Sequence, residues 1–176
     1  MGASTTGAEG VNDPIRSGNM TGKRYRRAVA EPTVDVTSRS FDELTARQLH
    51  DIVRLRCDVF VVEQRCAYPE LDGRDVEPTT GHHWIADGDL AVICYARTLV
   101  DPGEVVRLGR VVTAPRFRGR GLAAGLVRVL VDRFADRAVV LDAQSHLVDW
   151  YRAFGFEQSG DEFVDDGIPH TPMCRV

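Results

Sequence analysis

Residues 105–127 read VVRLGRVVTAPRFRGRGLAAGLV, and the order of residue types along them decides the fold. Val105 to Thr113 is apolar and β-branched, interrupted by Arg107 and Arg110, as expected of a strand with one face in a core. Ala114-Pro115 ends it, because proline has no N–H to give to a ladder. Arg116-Phe117-Arg118-Gly119-Arg120-Gly121 is a basic turn punctuated by glycine, after which Leu122, Leu126, Val129 and Leu130 recur at helical spacing. Strand, turn and helix in this order make a cradle for an anion. Gly119 and Gly121 allow close approach of the backbone to a ligand. The first-turn N–H groups of the helix face whatever sits there, and three arginines bring forked donors suited to phosphate oxygens. The stretch matches neither GxxxxGK followed by Ser or Thr, nor the GxGxxG of a dinucleotide fold.

The flanking chain extends the same logic. Leu90 to Val100 is a second apolar run, joined to the first through Asp101-Pro102-Gly103, so the two make an antiparallel pair. His82 to Ala86 is a further strand, linked to Leu90 by the hairpin signal Asp87-Gly88-Asp89. The helix after the basic turn, about Gly119 to Asp136, leads to Ala138–Ala143, a run fit for a buried strand and a parallel crossover. Parallel strands that splay leave backbone amides to which an extended amide-bearing ligand adds. Upstream, Val34 and Val36 alternate in a first strand, Thr33 to Ser38, and a helix runs from about Thr45 to Val62. Leu49, Ile52, Val53, Cys57 and Phe60 form its buried face, with Ser40 or Asp42 as its cap.

At 176 residues the chain is expected to form one domain, residues 31–176, behind a disordered leader at 1–30. Met20 is an alternative start, and the Lys23–Arg27 cluster KRYRR reads as a solvated tail. A net charge of −4 argues against a general nucleic-acid binder, and the 21 arginines beside a single lysine reflect base composition more than function. There is no secretory apolar segment and no apolar run of the ~18 residues that a membrane span requires, which points to a cytoplasmic protein with no membrane role. Cys57, Cys66, Cys94 and Cys174 follow no CxxC or disulfide pattern and read as reduced thiols. Asp72, Asp75 and Glu77 lack the spacing of an EF-hand and serve turn formation, so no metal is expected.

Four stretches carry a resemblance to a known family. Arg118-x-x-Gly121-x-Ala123 resembles motif A of the GNAT superfamily of N-acetyltransferases. Residues 55–75, with Leu55-Arg56 through Val59-Phe60-Val61-Val62-Glu63-Gln64 to Asp72-Gly73-Arg74-Asp75, resemble the signature of its ElaA subgroup; Ala67 stands where that pattern carries proline. Asp149-Trp150-Tyr151-Arg152-Ala153-Phe154-Gly155-Phe156 resembles motif B, with Trp150 in place of the commoner Phe and Gly155 as helix C-cap. The ending Asp165-Asp166-Gly167-Ile168-Pro169-His170-Thr171-Pro172-Met173 also resembles that subgroup, with Asp165 in place of Glu and Pro172 in place of the usual glycine. The matches together cover about Val34 to Val176.

The resemblance implies an α+β fold: a mixed central sheet with splayed parallel strands, flanked by helices. It implies an N-acetyltransferase using acetyl-coenzyme A. Arg118, Gly119, Arg120, Gly121, Leu122 and Ala123 would hold the pyrophosphate, and Val111, Val112 and Thr113 the pantetheine and thioester carbonyl. Tyr151 would meet the thioester and act as general acid, since thiol and phenol both have pKa values above neutral. A lysine-like acceptor amine, roughly one part in two thousand neutral at pH 7, needs a base. Glu63 and His170 are candidates for that role, with His82 or His83 behind them. Glu63 and Gln64 have a competing reading as backbone caps or as partners of an arginine, and the histidines as strand packing. No cysteine stands at a motif position, which favours direct attack in a ternary complex. The acceptor is expected to be the amine of a small molecule or peptide, and a homodimer through the C-terminal strands fits the family. The alternative is a non-catalytic acyl-CoA sensor on the same fold.

Overall fold

Residues 34–88 and 91–176 are described by a computed structural model. The leader, KRYRR, Met20, Thr33, Asp89 and Leu90 lie outside the described residues. Eight strands form one mixed sheet: β1 Thr37–Arg39, β2 Gly81–Asp87, β3 Ala91–Asp101, β4 Val105–Thr113, β5 Val139–Gln144, β6 Glu157–Gln158, β7 Phe163–Asp165 and β8 Ile168–Arg175. Their order is β1-β2-β3-β4-β5-β8-β6, with β7 hairpinned onto β8. The helices are α1 Ala46–Arg56, α2 Leu122–Arg133 and the short α3 Val148–Arg152.

β3 is the spine, with every residue from Val92 to Leu99 buried, because helices cover both faces of the sheet. Neighbouring strand residues point to opposite faces, and the packing follows that alternation except at Ile93–Cys94, where a register shift between β2 and β3 puts both residues on one side. Trp84, Val92 and Tyr95 pack with Ile52, Leu55 and Val59 of the α1 segment. Their neighbours Ile85, Ile93 and Ala96 pack with Leu126, Val127 and Leu130 of α2. Among the described residues no helix is long and apolar enough to cross a membrane.

α1 departs from its expected cap and face. Thr45 caps it, accepting from the Gln48 N–H at 3.2 Å while Gln48 Oε1 accepts from the Thr45 N–H at 3.0 Å. Ser40 instead belongs to a separate 3-10 turn, where its N–H donates to Glu43 at 2.8 Å. After Arg56 the helix widens into a π-helical turn, Cys57–Glu63, which closes with Gln64 N–H on Val59 O at 2.9 Å. The buried face carries Asp51, Leu55, Arg56 and Val59 beside Ile52, while Leu49, Val53, Cys57 and Phe60 are half-buried.

Two features open the middle of the sheet. β4 and β5 pair in parallel only at Val106–Val139 and Arg107–Val140, after which β5 pairs with β8 along its whole length. The register of β3 on β4 jumps from Tyr95–Val112 to Arg97–Gly109, so β4 carries one extra residue there. Arg110 sits in this bulge with φ +54°, and a bulge of this kind sharpens the local twist. From Leu108 to Thr113 the outer edge of β4 thus has no strand beside it.

Candidate functional site

A cleft of about 330 Å³ occupies the gap. Leu108, Gly109, Arg110 and Val111 of β4 line one side, Leu141, Asp142 and Gln144 of β5 the other. Tyr151 of α3 and the β7–β8 hairpin, through Phe163, Asp165, Asp166 and His170, complete the lining with Phe60, Gln64 and Tyr68. The π-helical turn is stitched across one end, where Gln144 Nε2 donates to Gln64 Oε1 at 3.3 Å.

The basic turn follows β4 directly. Pro115–Phe117 form a 3-10 turn, Gly119 (φ +74°) and Gly121 (φ +76°) are left-handed, and Gly121 is the N-cap of α2. A methyl group placed on Gly119 would meet nothing within 4 Å, so the backbone there faces open space. The first N–H bonded within α2 is that of Gly125, to Gly121 O at 2.9 Å, so the earlier first-turn N–H groups are available to a ligand. No acidic residue stands in that first turn. These are the features an anion cradle needs. Arg118 does not simply face outward. Its Nε donates to Thr113 O at 3.1 Å, and its two Nη groups donate to both oxygens of Glu63 at 2.8 and 3.0 Å. Arg120 lies over the Phe117 ring, 4.9 Å from its centroid.

Tyr151 is 7% exposed and lines the cleft, and its hydroxyl has no hydrogen-bond partner among the described residues. Trp150 and Phe156 hold its ring edge-on at 4.7 and 5.9 Å between centroids. Burial alone pushes its phenol above the usual range, so it is a proton donor at neutral pH. His170 also lines the cleft. Its Nδ1–H donates to Ile168 O at 2.9 Å, which leaves Nε2 as an acceptor, and its ring stacks on Phe163 at 5.8 Å. Val111 lines the cleft, while Val112 is buried under α1 and presents only backbone.

Two of the candidate bases sit elsewhere. His82 Nε2 donates to Asp75 O at 3.0 Å and its Nδ1 accepts from Tyr95 Oη at 2.8 Å, all buried. His83 is held between Ser38 Oγ at 2.8 Å and Thr98 Oγ1 at 2.9 Å. Burial lowers both imidazoles, His83 to about 3, and neither lines the cleft. They are satisfied core residues. Glu63 is engaged by Arg118 and does not line the cleft, which bears out its reading as an arginine partner. Asp72 does form the expected Asx-turn, accepting from Arg74 N–H at 3.0 Å.

Tyr68, Arg97 and Arg110 of the cleft lining belong to a charged network that the spacing of the sequence does not disclose. Arg56, 1% exposed, donates through Nε to Glu70 and through Nη1 to Asp75 at 2.7 Å. Arg97 bridges Asp75 at 2.9 Å and Asp72 at 2.6 and 2.8 Å. Tyr68 Oη donates to Glu70, and the guanidinium of the bulge residue Arg110 lies over the Tyr68 ring at 5.4 Å with Glu70 and Asp72 within ion-pair distance. Burial works against ionisation of Asp72, but Arg97 holds its carboxyl down at about 2. Three arginines and three carboxylates thus anchor loop 68–75 to α1 and to the β4 bulge.

Comparison with known proteins agrees with this architecture. A family model described as an acetyltransferase (GNAT) domain matches residues 51–175. A UPF0039 protein of Mycobacterium tuberculosis is 43% identical over 136 residues, covering 76% of this chain and 87% of its own. The crystal structure of an acyl-CoA N-acyltransferase from Pseudomonas aeruginosa aligns with a TM-score of 0.73 at 34% identity, covering 81% of this chain and all of that one. Escherichia coli ElaA aligns with a TM-score of 0.73 at 32% identity, covering 81% of this chain and 99% of that one. The mixed sheet parted between β4 and β5, the glycine turn at the head of α2, and these matches lead to one conclusion: the chain belongs to the GNAT acetyltransferase family, among its ElaA-like members.

Proposed function

We propose that this protein is an acetyl-CoA-dependent N-acetyltransferase acting on the amine of a small molecule or peptide. The observation that carries the reading is Tyr151, a buried phenol with no hydrogen-bond partner among the described residues, lining the cleft where β4 and β5 part. Acetyl-coenzyme A would supply an acetyl group on a good leaving sulfur. The residues fit such a molecule: Gly119, Gly121 and the first-turn N–H groups of Leu122 and Ala123 accept an anionic pyrophosphate, with Arg118 and Arg120 beside it. The unpaired edge Val111–Thr113 offers amides to an extended pantetheine and an N–H to polarise a carbonyl, a donor of the kind worth ~3 kcal/mol in a transition state.

Tyr151 then gives its proton to the departing sulfur as the new C–N bond forms and the C–S bond breaks. His170 takes the surplus proton of the acceptor nitrogen at Nε2, directly or through water. The proton lost by nitrogen balances the one gained by sulfur. An acceptor that arrives as an ammonium releases one further proton to solvent. Attack is direct, since the one cysteine lining the cleft, Cys66, is buried and donates its S–H to Asp166 O at 3.7 Å. Cytoplasmic location accords with reduced thiols. Thiol release with acetyl-CoA and a panel of amines tests the reading. Turnover supports it, and tight binding of acetyl-CoA without turnover would make the protein a sensor on the same fold.

A further inference from the structure

The charges lining the cleft do not cancel. Arg97 is paired with Asp72 and Asp75, Arg107 with Asp101 and Asp142, and Arg110 with Glu70 and Asp72. Each guanidinium in the lining therefore has its counter-ion in the protein. Asp165 and Asp166 are different: exposed at the turn between β7 and β8, they line the same cleft and make no ion pair among the described residues. The cleft thus presents two uncompensated carboxylates together with the hydroxyl of Tyr151, which has no hydrogen-bond partner among the described residues. Leu141, Leu147 and Phe163 give it an apolar lining.

An acceptor must meet both polar demands. The nitrogen that attacks has to be uncharged, so it gives no lasting ion pair to an aspartate. An exposed carboxylate pair on the wall of the cleft is complementary to a ligand cation that stays charged throughout the reaction. An acceptor with two nitrogens on an apolar spacer has that distribution. Resting on the acetyl-transfer reading, we propose that Asp165 and Asp166 form a subsite for the distal ammonium of a diamine, whose other nitrogen receives the acetyl group beside Tyr151. The free-base nitrogen forms the C–N bond and loses one proton, the sulfur gains one, and the distal ammonium keeps its charge. Cys66 steadies the subsite, because its S–H donates to the backbone carbonyl of Asp166, itself left-handed at φ +47°.

The test compares diaminobutane, butylamine and aminobutyrate as acceptors for the full chain and for the Asp165→Asn, Asp166→Asn double variant. Thiol release and calorimetric binding of diaminobutane are both read. Diaminobutane is expected to have a kcat/KM at least about tenfold above butylamine, with aminobutyrate poorest because its far end is an anion. The double variant raises the KM for diaminobutane about tenfold and leaves the KM for acetyl-CoA unchanged. Similar kcat/KM for all three acceptors, or an unchanged diaminobutane KM in a folded double variant, overturns the subsite and leaves acetyl transfer standing. Diaminobutane binding that the double variant loses, without thiol release, supports the subsite and overturns the transfer. Neither binding nor release overturns both.

Discussion

Arg118 grips Glu63 with both ends of its guanidinium, Nη1 on Oε1 at 2.8 Å and Nη2 on Oε2 at 3.0 Å. This arginine of the anion cradle already has a counter-ion in the protein. The pair joins the π-helical turn to the loop before α2. With side chains 44% and 42% exposed, it is worth at most ~1 kcal/mol.

An arriving pyrophosphate would compete with Glu63 for Arg118. Glu63→Gln is therefore expected to tighten acetyl-CoA binding, by up to about fivefold, and Arg118→Ala to weaken it by about tenfold, both read by calorimetry. In Glu63→Gln, kcat should stay within a few fold of wild type. A loss of about a hundredfold would instead make Glu63 the general base. Unchanged affinity in both variants removes Arg118 from phosphate binding.

The Arg56 network predicts a stability effect far larger than its surface counterparts. Arg56 and Glu70 are 1% and 3% exposed at their side chains, and truncating one partner leaves a buried charge uncompensated. Glu70→Ala should cost about 3 kcal/mol or more in denaturant unfolding. The truncation of Glu77, a half-exposed partner of Arg74, should cost under ~1 kcal/mol. Equal losses in the two variants would contradict the importance given to the buried pair.

His83 predicts an acid sensitivity with a defined window. Its folded pKa is depressed, so between about 6.5 and about 3 the unfolded chain binds a proton that the folded chain does not. Stability is intact above pH 6.5 and falls as pH drops below it, by about 1.4 kcal/mol per unit for this group. His82, also lowered, acts in the same direction. Asp72, held down at about 2, adds its loss only below its ordinary value of 3.8. Thermal melts from pH 7.5 to 5 should show a falling midpoint, and a flat profile would contradict the buried neutral histidines.

Much of this architecture is legible in residues 105–156, because each element there carries a local cause. Proline stops β4, two glycines shape the turn, and helical spacing carries α2. The short parallel pairing of β4 with β5 also follows from strand, helix and strand in series. The N-terminal helix was harder, since Ser40 and Asp42 look like caps while Thr45 with Gln48 is the pair used. The buried face of α1 carries the charged Asp51 and Arg56, which a search for apolar spacing passes over. The Arg56 network is hidden for another reason: its members stand 14 and 19 residues apart, and partner choice at that range is tertiary. Paired histidines on one strand point to opposite faces, so His82 and His83 could never both have met one cleft.

The most direct measurement sets wild type beside Tyr151→Phe, following thiol release from acetyl-CoA with a reactive amine and acetyl-CoA affinity by calorimetry. The phenol has no hydrogen-bond partner to lose among the described residues, so the change removes a proton donor and little packing. Wild type is predicted to turn over, and the variant to lose tenfold or more in kcat at unchanged acetyl-CoA affinity. Wild type that binds acetyl-CoA but releases no thiol, or equal rates in the two proteins, would contradict it.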